Sequence, residues 1–142
     1  MLYLFLGVLG IGIRLNIAKK NLLTGALGGL FSMIIFNLLT IYTPQSATVF
    51  LTAFFASVFS EIMARLRKTP VTVFLPLSIT PILPGKDVYD AITLAIHQNT
   101  QQFIENIISV FSATMSIAIG IITVRTIDVI FSKLIKLFSN RW

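Results

Sequence analysis

Apolar residues fill this chain in runs long enough to cross a bilayer, separated by short polar turns. Residues 2–17, 22–42 and 47–63 read as three hydrophobic spans, and 103–124 as a further one. A helix needs about 20 apolar residues to cross the hydrocarbon core. The first run is shorter than that and begins M-L-Y-L-F-L-G-V, without the basic start or A-x-A site of a cleaved signal, so it reads as a span itself. Ala18-Lys19-Lys20-Asn21 reads as a tight polar turn and Thr43-Pro44-Gln45-Ser46 as an uncharged one. Residues 91–102 predict a short amphipathic or interfacial helix, with Ile92, Leu94, Ala95 and Ile96 apolar and a polar hairpin around Gln98 to Gln102. The tail, 125–142, sets Ile127, Ile130, Phe131, Leu134 and Phe138 on one side and Lys133, Lys136 and Arg141 elsewhere. That pattern predicts an interfacial or membrane-exit helix.

One run departs from this plan. Val71 to Leu83 is almost wholly apolar, yet Pro70, Pro76, Pro81 and Pro84 lie in or beside it, four of the chain's five prolines. Each interior proline removes a backbone donor and crowds the carbonyl one turn back, at about 3 kcal/mol in a helix. In hydrocarbon the freed carbonyls must be met by other helices or by water. The segment is therefore either a kinked packing helix or an unwound stretch lining a solute site, as in many secondary transporters. The second reading is preferred, with the break from Pro76 to Gly85 on the pathway.

Small residues mark helix-contact faces. Gly25 and Gly29 form a G-x-x-x-G pair with Gly28 beside it. Ala53, Ser57 and Glu61 are spaced by four, with Ala56 and Ser60 widening the face, and Ser112, Ser116 and Gly120 form a similar ridge. The expected fold is an all-α integral membrane protein, one membrane domain over residues 1–142. It has about five transmembrane helices, the fourth proline-broken, and a C-terminal amphipathic helix.

Composition narrows the function. Of 142 residues, 56% are hydrophobic and 11% charged, and the mean hydropathy is +0.91, too apolar to cover a water-soluble surface. No cysteine is present, which removes disulfides and thiolate chemistry, and no P-loop pattern occurs. The single histidine, His97, lacks the partners of a metal site or a serine-hydrolase base, so neither metal, cofactor nor enzymatic activity is expected. The net charge of +6 reads as loop bias and not as nucleic-acid binding. Arg14, Lys19 and Lys20, then Arg65, Arg67 and Lys68, then Arg125, Lys133, Lys136 and Arg141 fall on one side if the fourth segment crosses fully, and Lys86 falls opposite. The positive-inside rule then places the N-terminus outside and the C-terminus in the cytoplasm of a cell (plasma) membrane, with five crossings.

Glu61 is a carboxylate placed within the third span. It reads either as a charge-coupling or pathway group, or as an i, i+4 ion pair with Arg65 that anchors the helix end. Asp87 and Asp90, with Glu105 downstream, suit either an outer mouth attracting a cation or ammonium, or solvated loop charges, and Asp90 suits an N-cap. Tyr89 fits an interfacial anchor or a gate. Asn16 fits pairing of backbone near the first turn.

Glu61, Arg65, Lys68 and Pro70 form E-x-x-x-R-x-x-K-x-P, followed by Pro81, Pro84 and Gly85 as P-x-x-P-G and by Tyr89 four residues on. This arrangement, with the early G-I-G-I-R-L-N-I ending at Asn16, resembles the second membrane domain of the threonine/serine exporter family over nearly the whole chain. The resemblance implies an ion-gradient-driven exporter of small polar metabolites, threonine and serine by name, with dicarboxylates such as succinate also associated with two-subunit members. It implies a small subunit working with a larger membrane partner. An odd-numbered half beside another odd-numbered half gives inverted topology, a recurring transporter plan, in which the Pro76–Gly85 break lines the pathway near the partner. A non-transporting scaffold and a self-sufficient homo-oligomeric channel are the competing readings; in every case lipid surrounds the chain.

Overall fold

The structure is a computed structural model describing residues 2–96 and 100–139, the side chains of Leu2 and of 134–139 excepted. Among these residues every regular element is helical: α1 (Leu2–Arg14), α2 (Lys19–Thr40), α3 (Gln45–Arg67), the short α4 (Leu75–Ile79) between single 3-10 turns at Val71–Val73 and Thr80–Ile82, α5 (Gly85–Ile96) and α6 (Thr100–Ser139). Helices α2, α3 and α6 are long and apolar enough to cross a membrane, and α1 is a shorter apolar helix.

Small polar residues share the interior with an apolar core, while large apolar residues cover much of the outside. Asn21, Thr24, Ser32, Thr48, Thr52, Ser57, Ser60, Glu61 and Ser78 are buried. Outside stand Leu23, Leu27, Ile34, Leu38, Phe55, Ile62, Ile108, Phe111, Ile119 and Ile122. Buried hydroxyls find partners one turn back: Ser32 donates to the Gly28 carbonyl, Thr52 to Thr48, Ser57 to Ala53 and Ser60 to Ala56. Such economy suits a solvent that offers no hydrogen bonds. An apolar exterior this extensive is stable only in lipid or against another protein, so the all-α membrane fold follows.

The passes alternate in direction. Val8 of α1 meets Gly29 of α2 while Gly12 meets Leu22, so α1 and α2 are antiparallel. Arg67 near the end of α3 donates to Thr24 near the start of α2, at 3.1 Å. Helices α3 and α6 instead run in the same direction: Gly120 faces Phe50 and Ala53, Arg125 pairs with Glu61, and Asp128 with Arg65. The chain between them must therefore return the full length of the bundle, and it does so along residues 71–84 and then α5, which folds back against α6 through Ala91, Ala95, Phe103 and Ile107.

Several boundaries differ from the sequence expectation. Lys19, Lys20 and Asn21 form the first turn of α2 and not a turn between spans; the reversal lies at Leu15 to Ala18, where Asn16 takes a left-handed φ of 54° and Ile17 donates to the Gly12 carbonyl. Asparagine tolerates that conformation better than most residues. Asp90 lies inside α5, which already begins at Gly85, so it caps nothing. Thr100, Gln101 and Gln102 belong to α6, and the rest of the expected polar hairpin, with His97, lies outside the described residues. The tail is no separate helix either: α6 runs 40 residues, about 60 Å, because no glycine or proline follows Gly120 to interrupt it. Its packing edge is Ala113, Ile117, Gly120 and Val124; Ser112 is exposed and Ser116 only half-buried, so the expected ridge is rotated toward the apolar residues.

Candidate functional site

The broken segment is the core of the bundle. Helix α3 stops because Lys68 adopts a left-handed φ of 50° and Thr69 precedes a proline, which disfavours helical backbone. Beyond it the chain advances by one 3-10 turn, five α-helical residues and another 3-10 turn. Phe74, Leu77 and Ser78 are fully buried, and Ile79 and Ile82 join Val49, Ala53 and Ile117 in one apolar cluster. Ser60 of α3 donates to Ser78 at 3.2 Å.

Glycines on α2 admit this segment. A Cβ at Gly25 would collide with Leu77, and one at Gly28 with Ser78. A Cβ at Gly29 would stand 3.1 Å from the Leu77 carbonyl oxygen, the acceptor that Pro81, lacking an N–H, cannot serve. One freed carbonyl thus lies against a bare glycine, deep in the bundle. The neighbouring Pro76 carbonyl accepts from the Thr80 hydroxyl at 2.7 Å and from its backbone N–H. The middle of the Pro76–Gly85 break is packed within this chain, and its ends border cavities.

At the basic end two cavities flank the entry to the segment. One, about 420 Å³, is lined by Glu61, Arg65, Lys68, Pro70, Thr72 and Arg125 among others. Glu61 is buried and accepts from Arg125 Nη1 at 2.8 Å, while Arg65 pairs with Asp128. The i, i+4 pair between Glu61 and Arg65 is therefore replaced by two bridges between α3 and α6. The second cavity, about 460 Å³, lies between the α1–α2 turn and residues 69–76 and includes Asn16, Lys20, Asn21 and Pro76. Both Asn21 Oδ1 and Thr69 Oγ1 are buried without a hydrogen-bond partner.

At the opposite end a cavity of about 240 Å³ is lined by Phe36, Gln45, Pro81, Pro84, Lys86 and Asp87 among others. Asp87 sits in the first turn of α5, where a negative charge complements the helix dipole. Tyr89 is exposed. Gly85 is open, with no atom within 4 Å of where a Cβ would stand, and its φ is not positive. The sequence-predicted residues thus divide: Glu61, Arg65, Asn16 and Pro76 at one end, Pro81, Pro84, Gly85, Asp87 and Tyr89 at or beyond the other. Arg125, Asp128, Asn21 and Thr69 join the site only in the structure. The i, i+3 spacing of Arg125 and Asp128, opposite in charge to Glu61 and Arg65, was the available signal.

Among the described residues no cluster of histidine, aspartate and glutamate suits a metal ion. What the geometry offers is a proline-broken segment buried in the bundle at its middle, with partly polar cavities at its two ends. No curated protein and no solved structure matches the chain. The family model described as Threonine/Serine exporter, ThrE, matches residues 1–127. Spanning most of the 142 residues and agreeing with the membrane fold, that match makes this chain a member of the threonine/serine exporter family, and so a membrane exporter.

Proposed function

We propose that the chain is the small membrane subunit of an ion-gradient-driven exporter of small polar metabolites such as threonine and serine, working with a larger membrane partner in the plasma membrane. The observation carrying this reading is the broken core: residues 71–84 run from the basic end to the opposite end, with cavities at both and a closed centre at Leu77 and Ser78. Alternating access requires such a barrier, opened from one side at a time. A straight helix could shift only as a rod, whereas a segment in three short pieces can move at its joints. Glu61 is the candidate for charge coupling, since it is buried beside the mouth and held by a residue of another helix. The exposed apolar faces of α5 and α6 leave room for a second half. The basic residues gathered at one end, with Lys86 at the other, favour a cytoplasmic C-terminus and an outside N-terminus.

Reconstitution tests this. Proteoliposomes holding the chain with the larger subunit should show saturable, gradient-dependent export, and neither subunit alone should. Export by this chain alone contradicts the two-subunit claim. Full export by the partner alone leaves a scaffold role.

A further inference from the structure

Two residues lining one cavity each carry a buried polar atom without a partner. Asn21 is 3% exposed, and its Oδ1 accepts no hydrogen bond. Thr69 Oγ1 is also buried and unpartnered, and both residues line the 460 Å³ cavity. An amide oxygen shut away from water without a donor is unfavourable, and a site that persists with one is poised for a ligand that brings the donor.

The same cavity borders the start of α2. Its N-cap, Ala18, has no side chain able to receive the opening N–H groups. The positive end of a 22-residue helix is therefore uncapped by any side chain there, and Lys20 lines the cavity beside it. Uncapped amides, the helix dipole and an ammonium favour a carboxylate.

We propose that this cavity is the binding site for the exported solute. A carboxylate sits at the α2 N-terminus and Lys20, and an N–H or O–H donor reaches Asn21 Oδ1, with Thr69 Oγ1 as a second polar partner. The site rests on the exporter reading and narrows it. A small amino acid brings a carboxylate, an ammonium and, in threonine or serine, a hydroxyl. A dicarboxylate at neutral pH brings acceptors alone and leaves Asn21 Oδ1 unmet. The ligand class is therefore small amino acids and not dicarboxylates. The cavity abuts Pro76, so an occupant lies against the first joint of the broken core.

The chain has no native cysteine, so a single thiol reports the cavity cleanly. Val73→Cys, placed in its wall, is labelled with a water-soluble maleimide in membrane vesicles containing the full exporter, and threonine export is measured on the same vesicles. L-threonine and L-serine should slow labelling saturably, succinate should not, and Gln45→Cys in the opposite cavity should be unaffected. Adding Asn21→Leu should raise the half-protecting L-threonine concentration about tenfold, and the near-isosteric Thr69→Val should raise it in the same direction. Equal protection by succinate overturns the donor requirement. No protection in vesicles that still export threonine overturns the site while leaving the exporter intact. Vesicles without the added thiol that do not export threonine overturn threonine as the exported solute, and this site with it.

Discussion

Glu61 and Arg125 are 64 residues apart in the chain, yet the Arg125 guanidinium donates to the Glu61 carboxylate at 2.8 Å, joining α3 to α6 beside the mouth of a cavity. Glu61 is buried and the Arg125 side chain is 51% exposed, so the pair is shielded on one side only. Removing the arginine leaves a buried carboxylate without its ion-pair partner. Arg125→Leu should destabilise the fold by about 1–3 kcal/mol, measured by thermal unfolding in detergent. Adding Glu61→Leu should recover most of that loss, because removing both charges also removes the unmet one, while export should be abolished with the loss of the proposed coupling carboxylate. Full stability in the single variant would show that the bridge is incidental.

The α3–α6 contact depends on a bare backbone. A Cβ at Gly120 would stand 2.9 Å from the Phe50 carbonyl oxygen and 3.1 Å from the Phe54 amide nitrogen, atoms that cannot rotate away. Gly120→Ala should therefore push the helices apart and cost about 1–3 kcal/mol, as overpacking does. Gly85→Ala should be nearly neutral, since nothing lies near its Cβ position and its φ is not positive. Unfolding midpoints of the two variants check the contrast, and equal midpoints would contradict it.

Pro81 withholds a donor from the Leu77 carbonyl, which lies against Gly29. Pro81→Ala supplies that donor and straightens the second joint. Export should fall at least about tenfold, a barrier change near 1.4 kcal/mol, with expression and thermal stability kept or improved. Undiminished export would mean that the break serves packing alone.

The direction of each pass is also open to test. Cysteines at Lys20 and Lys68 should be labelled from one face of the membrane, and those at Thr43 and Lys86 from the other. Labelling of Lys68→Cys and Lys86→Cys from the same face would mean that residues 71–84 do not cross.

Much of this fold is legible locally. Proline acts on its own backbone, so the break at residues 70–84 reads directly from spacing, and the apolar runs fix α2 and α3 to within a few residues. Signals that depend on a neighbour do not read so well. Lys19-Lys20-Asn21 looks like a turn because it is polar, but a helix N-terminus tolerates the same residues, and the reversal is set by Asn16 before it. Glu61 stands out as a charge in a span, whereas its partner is hidden among the tail's other basic residues until the parallel packing of α3 and α6 is known. The α6 edge shows the same limit. Serine spacing suggests a face, but Ala113, Ile117 and Val124 occupy the contact because α3 already presents its own hydroxyls inward.

Thiol labelling along residues 71–84 tests the broken core most directly, one cysteine at a time in the otherwise cysteine-free chain. With the exporter at rest, Thr72 and Val73 positions should react with an impermeant reagent only from the basic end, Leu83 only from the opposite end, and Leu77 and Ser78 from neither. With an imposed ion gradient and exported solute, Leu77 or Ser78 should become reactive as the barrier opens. Failure of every position to react from either side, at rest and during turnover, would contradict a solute path through this segment.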